Sequence, residues 1–255
     1  MKQKHLEQTN SLLPFLSEQG VPLSSISYLC GMKKLETSTT YIHQLVSEGE
    51  HDQQDFKFEI SDARKIARSI SAFANTRGGR LLVGVKDNGK IAGVRSEEEI
   101  YMIEAAATLY CTPQVQIENI SHYVEGKTVL EICIPEAEHK PIYAIDEDKC
   151  PKAYVRIADE NILATPVHLK VWQYSSRPEG AFLPFTEREL QLLTLLRESG
   201  KLTLTQCCKR TRLQRPFVCR LLADFIRFGL VEHVFEGHTF YYQSLEEDRD
   251  EEDQL

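Results

Sequence analysis

Eight lysines and arginines fall between Ala63 and Arg95 (Arg64, Lys65, Arg68, Arg77, Arg80, Lys86, Lys90 and Arg95), and Asp87 is the one acid among them. In a chain of formal charge -8, a local field of that sign asks for a polyanion, of which nucleic acid is the commonest. A solvated positive face without a ligand is the alternative. Gly126-Lys127-Thr128 adds no phosphate loop, because Ser121 stands where the first glycine is needed and Thr128 to Ile134 alternates like a strand where a helix should begin. The tripeptide reads as a hairpin turn. The histidines have no metal-ligand spacing with cysteine, and Cys207 and Cys208, adjacent on an expected helix, cannot face one ion together.

The cations must be positioned by a helix, a glycine turn and a strand. Ala63, Ile66, Ala67, Ile70, Phe73, Ala74 and Arg77 recur at helical spacing behind Ser61, the expected N-cap, and Asp62, which suits the positive end of the helix. Arg64, Arg68, Ser71 and Asn75 then belong to the opposite face. Gly78 and Gly79 end the helix, the first by supplying positive φ and both by letting another backbone approach. Leu81, Leu82, Val83 and Val85 predict a central strand, and Asn88-Gly89 predicts a turn back into Ile91 to Val94, with Asp87 beside it.

The segment AFANTRGGRLLVGVKDNGKIAGV, preceded by EGEHDQQDFKFEI and followed by PKAYVRIADENI, resembles the Schlafen/Alba-type nucleic-acid-binding domain of bacterial regulators. The hallmark of that family is an E…EFK segment, then AFANT-GG-LLIGV-D-G, then a YVRVG-like strand. The resemblance covers roughly residues 45 to 172, with Asp55-Phe56-Lys57 in place of EFK and Ala158 in place of the last glycine. It implies an α+β domain, a mixed sheet with packed helices, that binds DNA or RNA. It also maps Glu50, Asp55 and Asp87 onto the acidic trio with which some relatives cleave RNA. Carboxylates suit that chemistry, since hard oxygen ligands hold Mg²⁺ or Mn²⁺ and the ion activates water. Acids on loops and beside Asn-Gly turns are otherwise ordinary, and simple binding requires no cofactor.

At 255 residues, two modules are expected. The net charge misleads, because Glu246 to Asp253 carries -6 of it and leaves the remainder at only -2. Seven cysteines without CxxC spacing, and no leader or long apolar span, predict reduced thiols in a cytoplasmic protein that does not meet a membrane. Residues 1–45 hold short amphipathic pieces around Leu12 and Ile26 to which no chemistry is assigned. The first domain is expected over 46–174, with a helix near Glu97 to Cys111 and strands at Val115 to Ile120, Thr128 to Ile134, Ile142 to Ile145 and Ala153 to Ile157. A polar linker follows over 175–183.

From 184 to 243 the pattern changes. Thr186 and Glu189 form a capping box before Leu190, Leu193 and Leu196. A short helix near Thr205 to Thr211 and a third from about Arg215 to Phe228 follow, then two strands around Glu236-Gly237, and an acidic tail over 244–255. This resembles a winged helix-turn-helix, with Arg215, Arg220 and Arg227 directed outward. The candidate nucleic-acid contacts are therefore Lys57, Arg64, Arg68, Asn75, Arg77, Gly78, Gly79, Arg80, Lys86, Arg156, Arg210, Arg212, Arg215 and Arg220. The expectation is a homodimeric DNA-binding transcriptional regulator. The alternatives are a metal-dependent RNA endonuclease using Glu50, Asp55 and Asp87, and a protein-interaction scaffold.

Overall fold

The computed structural model describes residues 38–175 and 186–245. The apolar pieces near Leu12 and Ile26, most of the linker and the tail from 246 onward lie outside the described residues. Residues 38–48 form helix α1, which runs across the expected boundary at 45/46. Ile42 and Leu45 on α1 are buried with Phe56, Leu82, Val85, Ile91, Val124 and Val129, so this helix covers one face of a sheet.

Strand β1 (Gln54–Lys57), helix α2 (Ala63–Asn75) and strand β2 (Gly79–Val83) form a crossover unit in which β1 and β2 are parallel, with Asp55 opposite Leu81. Asp62, not Ser61, caps α2: its Oδ1 accepts the Arg64 backbone N–H at 2.9 Å, two residues on, the reach an Asx cap needs. Helix α3 (Glu98–Thr108) and the short strand β3 (Cys111–Thr112) follow. The hairpin of β4 (Glu118–Val124) and β5 (Lys127–Ile134) turns at Glu125 and Gly126, both at positive φ, and places Gly126-Lys127-Thr128 as a turn entering a strand.

Strands β6 (Tyr143–Ile145), β7 (Pro151–Ile157) and β8 (Glu160–Leu163) complete the first part. The order β1-β2-β5-β4 makes one mixed sheet, and β3-β6-β7-β8 makes a second that is antiparallel. Helix α2 lies against both, and its Ile66, Ile70, Phe73 and Ala74 share a core with Leu81, Val83, Ile103, Leu130, Ile132 and Ile142. Leu81, Leu82, Val83 and Val85 are fully buried, as a continuous apolar run requires.

Helix α4 (Pro166–Ser175) leaves β8 and packs on the C-terminal unit. That unit comprises α5 (Glu187–Ser199), β9 (Lys201–Leu202), α6 (Leu204–Thr211), α7 (Arg215–Arg227), β10 (Val231–Glu236) and β11 (Thr239–Ser244), with the sheet order β10-β11-β9. The Thr186/Glu189 capping box is present, and a second, Thr203/Gln206, starts α6. Together these elements are an α+β protein. No helix among the described residues is long and apolar enough to cross a membrane.

Candidate nucleic-acid interface

The basic run of Ala63 to Arg95 is half neutralised once the chain folds. Arg68 pairs with Asp146 and Arg77 with Asp52, while Arg80 lies 3.3 Å from Glu131 and Arg95 2.7 Å from Glu59. Four of the eight cations are thus paired with acids that lie outside the run, which a local charge count cannot see. Arg64 is half-buried with its guanidinium 5.0 Å over Tyr110. Lys65, Lys86 and Lys90 are exposed, Lys86 lying 4.8 Å over Phe58.

Arg80 belongs to a polar cluster that sequence reasoning missed. Glu131, inward on β5, accepts from the Tyr41 hydroxyl at 2.9 Å and lies 2.9 Å from His122 Nε2, whose Nδ1 is 2.8 Å from Ser38 Oγ. Burial, then the hydrogen bond to Glu131, raises the Tyr41 pKa. The network ties α1 to the sheet. Its signal, a lone glutamate inside the apolar alternation of β5, was present in the sequence; its partners came from 90 residues away in the case of Tyr41.

Two further expected contacts are interior. Asn75, placed by its spacing on the outer face of α2, is 3% exposed: its amide donates to Ile142 O at 2.8 Å and Tyr154 O at 3.0 Å and accepts from Ile142 N at 2.7 Å. Ser71 likewise donates to Ile142 O. The second sheet covers that face of α2, so polar residues that read as outward serve as clamps. Arg156 is also 3% exposed, with Nη1 on Asn161 Oδ1 at 3.0 Å, Nη2 3.5 Å from Asp55 Oδ1 and its guanidinium 5.0 Å over Phe73. Neither residue offers a surface to a polyanion.

Gly78 and Gly79 behave as their spacing predicts. Gly78 has φ +68, and a Cβ there would lie 2.8 Å from Ile134 O and Glu136 N; a Cβ on Gly79 would lie 2.5 Å from the Phe73 ring. Backbone approach, rather than ligand contact, requires them.

Of the acidic trio, the structure brings Glu50 and Asp55 together. Glu50 Oε1 accepts the Phe56 N–H at 2.9 Å, and burial followed by a hydrogen bond to Asp55 raises the Glu50 pKa. Lys57 Nζ lies 2.8 Å from Asp55 Oδ2, and Arg156 flanks the other oxygen. Asp87 is exposed in the turn beyond the far end of β2. Among the described residues no three His, Cys, Asp or Glu side chains gather closely enough to hold a metal ion. The three carboxylates therefore do not fit a Mg²⁺ or Mn²⁺ cage here, because Asp55 is already answered by two cations and Asp87 is not beside it.

The C-terminal unit is different. Lys209, Arg210, Arg212, Arg215 and Arg220 are exposed along α6, the following turn and α7, and none makes an ion pair among the described residues. Among the described residues Arg210 and Arg215 hydrogen-bond only hydroxyls, of Ser199 at 2.9 Å and Thr205 at 3.4 Å. Arg188 and Arg220 lie over the Phe217 ring at 5.6 and 4.8 Å, which holds both guanidiniums in place. Arg227, expected outward, instead lies over Tyr174 and 3.9 Å from Asp224, because α4 covers that end of α7.

The family model described as Schlafen, AlbA_2 matches residues 50–165, in the first part of the chain. Among solved structures the chain is similar to the DIP2311 protein from Corynebacterium diphtheriae, at 18% identity and a TM-score of 0.43, over 83% of this chain and 39% of that one. It is also similar to the N-terminal domain of a RecG-related protein from Nitrosomonas europaea, at 22% identity and a TM-score of 0.38, over 59% of this chain and 96% of that one. The chain thus spans about two fifths of the DIP2311 structure. A comparison with curated proteins found no match.

Proposed function

We propose that this chain, with its Schlafen AlbA_2-type domain at 50–165, is a nucleic-acid-binding protein whose C-terminal unit is a winged helix-turn-helix and whose role is DNA-binding transcriptional regulation. The element order α5, β9, α6, α7, β10, β11 supports the winged-helix reading: α6 and α7 meet across Arg212, Leu213 and Gln214, and β10 and β11 form an antiparallel wing. The observation that carries the reading is the group of five exposed cations along α6 and α7 that make no ion pair among the described residues, where Arg68, Arg77, Arg80 and Arg95 of the first part are each paired with an acid. A recognition helix needs such charge at its N-terminal end, where Arg215 stands. A homodimer belongs to this reading, since paired half-sites take two copies of α7, and sedimentation in solution checks it.

The deciding experiment is selection of bound sequences from a mixed DNA and RNA pool, followed by affinity measurements across salt concentration. A DNA motif whose binding weakens steeply with salt is expected. Affinity indifferent to salt defeats the proposal.

A further inference from the structure

Where the first part of the chain meets the C-terminal unit there is a cleft of about 500 Å³. His168 and Trp172 of α4 and His233, Phe235 and Phe240 of β10 and β11 line it, together with residues of the first part that include Arg156 near the end of β7. The walls therefore come from both parts of the chain. His168 and His233 are stacked at 4.0 Å with an interplanar angle of 11°, and Phe240 meets His168 edge-on at 4.8 Å.

The chemistry of this cleft is specific. The Thr165 backbone N–H donates to His168 Nδ1 at 3.2 Å, so the proton of that ring sits on Nε2, which finds no acceptor among the described residues. His233 Nε2 is buried without a hydrogen-bond partner among the described residues. The Arg156 charge is answered by Asp55, so the cleft holds no free cation to select an anion. Flat aromatic walls, unused imidazole nitrogens and no unbalanced charge together match an uncharged heteroaromatic ring that stacks and accepts a hydrogen bond. We propose that this cleft is a binding site for a free, planar, uncharged heteroaromatic molecule of nucleobase size. The proposal stands apart from the basic face of α6 and α7, none of whose cations line the cleft.

The test uses the full chain and adenine as the probe. Trp172 is the only tryptophan, so its emission reports the cleft directly. Saturable quenching by adenine, with a rise in melting temperature, is expected. Phe240→Ala should weaken it about tenfold through lost ring contact. His168→Phe keeps the aromatic wall and removes the N–H, and should also weaken adenine binding while leaving the circular dichroism spectrum unchanged. No saturable change in Trp172 emission and no melting shift would overturn the proposal, as would quenching unaltered in both variants. Quenching by a single-stranded oligonucleotide but not by free adenine would overturn it too, because the cleft would then serve a strand.

Discussion

Arg156 and Asp55 face each other in an interior that leaves both about 3% exposed, and this makes the difference between a binding arginine and a structural one measurable. Removing Arg156 leaves the buried Asp55 carboxylate to Lys57 alone and takes a donor from Asn161 Oδ1, so Arg156→Ala should lower unfolding free energy by about 1–3 kcal/mol in urea titration. Asn75→Ala takes the acceptor from the Ile142 N–H and a donor from the Tyr154 carbonyl, while Ile142 O keeps Ser71, with a cost of about 1–3 kcal/mol. Exposed Arg215 behaves oppositely. Arg215→Ala should move stability by no more than about 0.5 kcal/mol while lowering the salt slope of DNA binding by about one. If Arg156→Ala folds with wild-type stability and loses only DNA affinity, the structural assignment of Arg156 is wrong.

At the scale of elements, the turns hold the strain. Ala158, between β7 and β8, has φ 51 at the position where the Schlafen/Alba-like pattern carries glycine. A left-handed L-residue costs about 1–2 kcal/mol, partly offset by the lower unfolded-state entropy of alanine, so Ala158→Gly should raise stability by up to about 1 kcal/mol. At Gly78 a left-handed φ of +68 coincides with backbone 2.8 Å from a Cβ, and Gly78→Ala should cost more than about 2 kcal/mol because no side-chain motion relieves the contact. Thermal melts of the two variants should therefore shift in opposite directions. The pairing of Glu50 with Asp55 likewise predicts that Mn²⁺ leaves the melting temperature unchanged; a rise abolished by Glu50→Gln would show that the carboxylates close on an ion.

For the whole molecule, the junction between the two parts sets the response to acid. Burial holds the His168 pKa at about 3 and the His233 pKa at about 4, against an ordinary 6.5. Above 6.5 neither folded nor unfolded imidazoles carry protons, and pH has no leverage through them. As pH falls from 6.5 toward 4, the unfolded chain takes up protons that the folded chain refuses. Stability is lost over that window, at no more than about 1.4 kcal/mol per pH unit for each imidazole. Trp172 emission should report the opening, and His233→Phe should flatten the pH dependence. A melting temperature equal at pH 7 and pH 5 would rule out that role for the pair.

Much was legible in the residues themselves because the signals are local. The helix at Ala63–Asn75, the glycines that end it, the buried strand after them, the hairpin at Glu125-Gly126 and the capping box at Thr186 each depend on neighbours within a few positions. The outward cations of α7 are of the same kind, Arg227 excepted. Tertiary structure decided which charges are free and which polar residues are interior. Arg68, Arg77, Arg80 and Arg95 read as a field until acids from outside their run pair with them. Asn75 and Ser71 read as surface until a second sheet covers that side of α2. Asp87 reads as a partner of Glu50 and Asp55 until the register of β1 and β2 places it past the far strand end. Helical periodicity and charge counts report one element at a time, whereas solvation and ion pairing depend on what the rest of the chain lays against it.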